Sequence, residues 1–314
     1  MRVLVTGASG FVGRALIEQL RFDNDLQVRM ALRRAVEMPL AEFVHVDNVC
    51  ASTDWRLALA DIDVVIHLAA RAHILDDRDA DPLAEFRKTN TQGTLNLARQ
   101  AALAGVRRFI FISSIGVNGA QTRGRAFTEL SPVAPHSPYA QSKYEAECGL
   151  LEMTESGGME VVIIRPSMIF SANAPGNFAR LMKLVSYPIP LPLGAMRNRR
   201  SLVSLQNLIG FIGLCIKSPN AANQVFLICD GDDVSTEEMV RRLALGMGCR
   251  RWLLPFPKFI IRWLAAVTGR ENMYVQLFGS LQVDSSKARE LLQWKPCIST
   301  RQALEEAGRK YRDG

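Results

Sequence analysis

Residues 2–20 read RVLVTGASGFVGRALIEQL, and the order of residue types in them decides the fold. Five residues of strand character, RVLVT, run into Gly7, Gly10 and Gly13. FVGRALIEQLR then carries its apolar residues on one face of a helix. A strand, a glycine turn and a helix in that order form a phosphate-binding turn. Gly7 permits the tight turn, Gly10 lets the backbone approach a pyrophosphate, and Gly13 allows close helix packing. Ser9, Phe11 and Val12 belong to the same turn and are expected beside the ligand, with the helix N-terminus facing its phosphates.

Further strand-like runs follow: QVRMAL, FVHV, DVVIHLA, RFIFISS and VVIIRP, with helical patterns between several of them, the longest from about Ala84 to Ala104. Near-continuous apolar strands alternating with helices predict a parallel sheet covered on both faces. The fold class is therefore α/β, a Rossmann-type doubly wound sheet. After Pro166 the rhythm loosens. SANAPGNFARLMKLVSYPIPLPLG passes from loop to short helix to proline-rich turn, RRSLVSLQNLIGFIGLCIK is a strand then a helix, and QVFLIC is another strand. From Ser235 the pattern is mainly helical. Residues 1–166 and about 200–230 are assigned to a dinucleotide-binding domain. Residues about 167–199 and 231–314 form a smaller, mainly helical substrate-binding lobe interleaved with it.

The chain has 314 residues, 48% of them hydrophobic, and a formal net charge of +7. That balance favours anionic ligands. The basic residues are scattered in short pairs, so no nucleic-acid arm is expected. The six cysteines share no metal-ligand spacing, which fits buried thiols in a reducing compartment. No secretory signal or transmembrane segment is read, and the expected location is cytoplasmic. RWLLPFPKFIIRWLAAV is too broken by prolines and charges to span a bilayer. It is expected to pack as a helix from about Phe256 to Thr268, with peripheral membrane contact as the alternative because Trp252 and Trp263 flank basic residues.

Where the second strand ends, an acidic residue would accept a bond from a ribose 2′-hydroxyl. This chain has Arg33 and Arg34 instead, which favours NADP(H) over NAD(H). Asp47 and Asn48 are expected near the adenine. Leu68, Ala69 and Ala70, after the fourth strand, stand where backbone passes close to the cofactor. His67 reads as a structural histidine, and no metal is expected. In SPYAQSKYEAE, Tyr139 and Lys143 lie four apart on one helix face. An ammonium near a phenol favours the phenolate, as does an oxidised nicotinamide. Such a tyrosine can move a proton at a sugar hydroxyl while hydride moves at the same carbon. Lys143 can also hold the nicotinamide ribose. FISSIG supplies Ser113 and Ser114 at the carboxyl edge of the fifth strand.

TGxxGxxG, HLAA, Asn90 in NTQGTLNL, SSIGVNG and YxxxK together resemble the extended short-chain dehydrogenase/reductases, most closely the UDP-glucose 4-epimerase branch. The resemblance extends to VDSSKARELLQWKP near the end. It implies Ser114, Tyr139 and Lys143 as the catalytic set. It also implies Asn90, Ser113 and Pro166 near the cofactor, and Asn177 and Arg200 holding the nucleotide and diphosphate of a nucleotide sugar, UDP-linked by expectation. A homodimer through a four-helix contact is implied too. Related 4,6-dehydratases carry an acidic pair where this chain has Ile115 and Gly116, so dehydration is not expected. Asn118 stands where the epimerase branch often has tyrosine. SSIGVNG and the arginine pair are closer to bacterial enzymes acting on UDP-N-acetylhexosamine derivatives in O-antigen synthesis. The expected reaction is reduction of a UDP-4-keto-6-deoxy-N-acetylhexosamine. The alternatives are 4-epimerisation of a UDP-hexose or UDP-N-acetylhexosamine, and, in another class, a non-catalytic dinucleotide-sensing module.

Overall fold

The computed structural model describes residues 1–34, 42–72, 81–155, 157–255, 267 and 278–314. Its centre is a seven-stranded sheet in the order β3-β2-β1-β4-β5-β6-β9. These strands are β1 (Arg2–Thr6), β2 (Gln27–Leu32), β3 (Glu42–His45), β4 (Val64–His67), β5 (Arg108–Ile112), β6 (Glu160–Pro166) and β9 (Gln224–Ile228). Every pairing is parallel. The order reverses direction at β1, so a crevice opens between the loops after β1 and β4.

Strand alternation sorts the core into two layers. Val162 and Ile164 of β6 join Val3, Val5, Ile110 and Ile112 under α1 (Phe11–Leu20) and α7 (Leu205–Lys217). Val161 and Ile163 join Leu4, Phe109 and Phe111 on the other face, against α4 (Thr94–Leu103) and α5 (Pro138–Glu155). The expected long helix over 84–104 is present with a break in its hydrogen-bond pattern. It consists of α3 (Pro82–Phe86), a π-helical segment Arg87–Gly93, and α4. The short α2 (Arg56–Leu59) completes this face.

Two strands carry buried arginines. Arg108 in β5 is fully buried. Its Nε donates to Glu160 at 2.7 Å, and its Nη1 donates to the carbonyls of Cys215 and Ser218 at 2.5 and 2.8 Å. It thereby satisfies carbonyls at the C-terminal end of α7. Arg165 in β6 forks onto Glu147 of α5 and reaches the Asn118 Oδ1 at 3.1 Å.

A third apolar cluster joins Phe170, Phe178 and Leu202 to Leu243 and Leu304. It is built from the parallel pair β7 (Met168–Phe170) and β8 (Leu202–Ser204), with α6 (Asn177–Ser186), α8 (Thr236–Gly246) and α10 (Thr300–Asp313). One expected boundary is corrected. Ala288 and Leu292 of α9 (Ser286–Leu292), with Trp294, pack into the sheet core rather than the second lobe. The Trp294 ring meets Phe211 of α7 edge-on at 5.4 Å, which buries the indole in that core. Of the helix expected over 256–268, all but 267 lies outside the described residues, Trp263 included.

Candidate active site

Beyond the carboxyl ends of β1, β2 and β4 lies a cavity of about 450 Å³, lined by Gly7, Ser9, Gly10, Arg33, Asp47, Asn48, Leu68, Ala69 and Ala70. Gly7 has φ +69°, and a Cβ on it would stand 2.6 Å from the Ala69 nitrogen. A Cβ on Gly13 would stand 2.2 Å from the Gly7 carbonyl oxygen. The turn thus keeps its concave shape only without side chains, and α1 points its free amide end into the cradle. These residues fit a dinucleotide. The side chains of Phe11 and Val12 turn elsewhere, Phe11 onto the second lobe and Val12 onto the sheet core. The turn therefore presents them through backbone alone.

A second hollow of about 620 Å³ adjoins the first, lined by Ser9, Arg33, Arg34, His45, Asp47 and Asn48. Arg33 donates to the Asn48 Oδ1 at 3.2 Å. His45, at the end of β3, was not singled out by the sequence reading, since it carries no motif.

Ser113 and Ser114 follow β5 directly. Ser114 Oγ accepts the Gly116 N–H at 3.1 Å and caps a short 3₁₀-helix over Ile115–Val117. A Cβ on Gly116 would stand 3.0 Å from His136 Cε1 and 3.3 Å from Ser114 Oγ, so a side chain there would have to displace the His136 ring. Tyr139 begins α5, half-buried, with Phe86 edge-on at 6.1 Å. Lys143 is buried, donates to the Ile112 carbonyl at 2.8 Å and stands 4.4 Å over the Phe111 ring.

The electrostatics correct one expectation. Burial pushes the Tyr139 phenol up to about 12. Burial also pushes Lys143 down to about 7, with Glu147 pulling it back. The lysine is spent on a backbone carbonyl and a ring face, so desolvation outweighs the tuning expected from the four-residue spacing. His67 is structural, as expected. Its Nδ1 lies 2.7 Å from Thr6 Oγ1 and its Nε2 2.9 Å from Thr94 Oγ1, and burial pushes it down to about 3.

Asn90 lies in the π-helical segment. It is fully buried, accepts the Arg71 N–H at 2.8 Å, and donates to the Arg71 carbonyl and to Ser142 Oγ. Its amide ties the loop after β4 to α5, with both N–H groups used and one lone pair of Oδ1 remaining. Pro166 closes β6, opposite Ile228. The next residue, Ser167, was missed. Its Oγ and that of Ser113 are buried and meet no hydrogen-bond partner among the described residues. Alternation along the strand puts Ser167 on the same face as Arg165, the face covered by α5.

The two residues expected at a nucleotide sugar lie on or beside elements of the third apolar cluster. Asn177 opens α6 behind Gly176. Arg200 is buried, donates to the Gly279 carbonyl at 3.0 Å, and joins Val234 and Leu281 through its backbone.

Three comparisons bear on this arrangement. The NAD dependent epimerase/dehydratase family matches residues 3–228. A UDP-glucose 4-epimerase of Vibrio cholerae is 45% identical over 311 residues, covering 98% of this chain and 95% of that protein. An N-acetyl-alpha-D-glucosaminyl-diphospho-ditrans,octacis-undecaprenol 4-epimerase of Escherichia coli O157:H7 is 29% identical over 259 residues, covering 81% of this chain and 76% of that protein. Among solved structures, a UDP-glucuronic acid 4-epimerase from Bacillus cereus in complex with NAD superposes with a TM-score of 0.78 at 22% identity. It covers 100% of this chain and 99% of the other.

Proposed function

The chain belongs to the NAD dependent epimerase/dehydratase family, and from that premise we propose that it is a nucleotide-sugar 4-epimerase acting on a UDP-hexose or UDP-N-acetylhexosamine. The observation that carries this reading is the full-length likeness to the Vibrio cholerae UDP-glucose 4-epimerase, coupled with an intact Ser114, Tyr139 and Lys143 at one sheet edge. It reverses the ranking drawn from sequence, in which reduction stood first. The reductase stays as a second reading because Arg33 and Arg34 line a hollow of about 620 Å³ beside the cofactor cavity, where a 2′-phosphate would fit.

A bound nicotinamide would take hydride from C4 and return it to the other face. The protein's part is the proton and the geometry. Tyr139 takes the proton of the C4 hydroxyl and gives it back. Ser114 Oγ already accepts the Gly116 N–H and uses its own proton on the reacting oxygen. Lys143 holds a ribose hydroxyl once it leaves the Ile112 carbonyl. With its phenol held up to about 12, Tyr139 becomes a usable base only when positive charge is added beside it. Ser113 and Ser167 offer hydroxyls to the polar edge of the cofactor. Asn177 and Arg200 hold the nucleotide and diphosphate. A homodimer would cover the exposed Leu103 of α4 and Leu151 of α5.

The deciding experiment is the cofactor content of freshly purified protein, followed by incubation with UDP-galactose. NAD surviving dialysis and UDP-glucose forming without added reductant support the epimerase. An empty site that takes up NADPH, and no interconversion, supports the reductase. Arg33→Ala with Arg34→Ala should then weaken NADPH more than NADH, each lost contact costing about 1.5–3 kcal/mol.

A further inference from the structure

Past the end of α6 the chain bends at Tyr187 and Ile189, lays Leu191 against Trp252–Leu254, and turns from Pro192. Leu191 N–H donates to the Trp252 carbonyl at 2.9 Å, and Leu254 N–H to the Leu191 carbonyl at 2.8 Å. The resulting bridge between Leu191 and Leu253 is parallel. Paired residues of such a bridge face one side and their neighbours the other. Leu191 and Leu253 face inward onto the second-lobe cluster. Pro190, Pro192, Trp252 and Leu254 face outward, Trp252 being 74% and Leu254 48% exposed. Tyr187 and Ile189, both about half exposed, extend the same surface.

The stretches that form this surface carry charge of one sign, with Arg199 paired to Asp233 outside them and Arg200 buried. Residues 174–200 and 247–255 hold seven Lys and Arg and no Asp or Glu, in a chain whose formal net charge is +7. Arg180 and Lys183 are exposed on α6 and Arg250 precedes the bridge. Arg251 donates to the carbonyls of Val185 and Ser186, which fixes the bridge segment to the end of α6. An exposed Trp and Tyr among aliphatic residues, bordered by cations, match the interface of a bilayer rich in anionic lipid. A second copy of the chain matches less well, because a two-fold contact here would set basic borders against each other.

We propose that this face docks the protein peripherally on an anionic membrane surface. No helix among the described residues is long and apolar enough to cross a membrane, so the contact is interfacial. The test is co-sedimentation of the full chain with vesicles of phosphatidylcholine, with and without phosphatidylglycerol, at low and high salt. The expected result is pelleting with phosphatidylglycerol vesicles only, released by high salt. Trp252→Ala should lower the partition about tenfold. Lys183→Glu and Arg250→Glu should each lower it at least about fivefold. Cofactor titration and thermal melting should be unchanged in all three variants. Equal behaviour with both vesicle types, or pelleting that survives the substitutions, overturns the proposal. So does sedimentation equilibrium showing that Trp252→Ala changes the oligomeric state, which would mean a second copy covers the face.

Discussion

Tyr139 and Lys143 stand in an arrangement that holds the phenol protonated until charge arrives. Tyrosinate absorbance compared between the protein and Tyr139→Phe should show a phenol titrating near about 12 without cofactor, and lower with NAD bound. The same variant should keep its melting temperature and cofactor affinity while turnover falls about 100- to 10,000-fold. Near-native turnover would end the catalytic assignment. Asp230 gives a second titration. It follows β9, accepts N–H groups from Ser204 and the Asn207 side chain, and burial raises it to about 6. In the unfolded chain a carboxyl ionises near about 4. The folded state therefore binds more protons between those values, and stability falls as pH rises from about 4 to about 6, then stays level. Asp230→Asn should remove that slope, so its unfolding free energy from urea titration should gain on the parent by up to about 3 kcal/mol above pH 6. Parallel curves for the two proteins across this range would contradict the assignment.

Each element was legible in proportion to how local its cause is. β1, β5 and β6 announce themselves as apolar runs, and α1 as one apolar face behind a glycine turn. The π-helical segment at Arg87–Gly93 has no such signature, because its widened turn answers to Asn90 holding Arg71 and Ser142 across space. Arg108 and Arg165 did carry a signal that went unused: a cation inside an otherwise apolar strand needs a buried partner. Arg108 ties β5 to the end of α7, so Arg108→Ala should cost about 3–5 kcal/mol in a denaturant titration, since it strands the buried carbonyls at the end of α7 and opens a cavity, while Glu160 keeps Arg107. Arg108→Lys should recover only part of that, because one ammonium cannot fork to Glu160 and the helix carbonyls together. A loss within about 0.5 kcal/mol of zero would show that the tie carries no stability.

At the scale of the molecule, the candidate site was legible because glycine turn, strand-end serine and YxxxK all belong to one sheet edge. The lobe boundary was not, because Trp294 returns to the first core from far along the chain. Trp294→Ala should therefore destabilise the whole protein by about 3–5 kcal/mol, with cofactor binding and helical signal lost in one transition. Separate transitions would place Trp294 in the second lobe after all. The same long return shapes how the chain is made. β6 is apolar on both faces, and its outer partner β9 is synthesised only after residues 167–223. At about 5–20 residues per second the ribosome leaves that strand edge bare for several seconds. During that interval it is open to pairing with other nascent chains, so soluble yield should respond to translation speed and growth temperature even where the finished protein is stable.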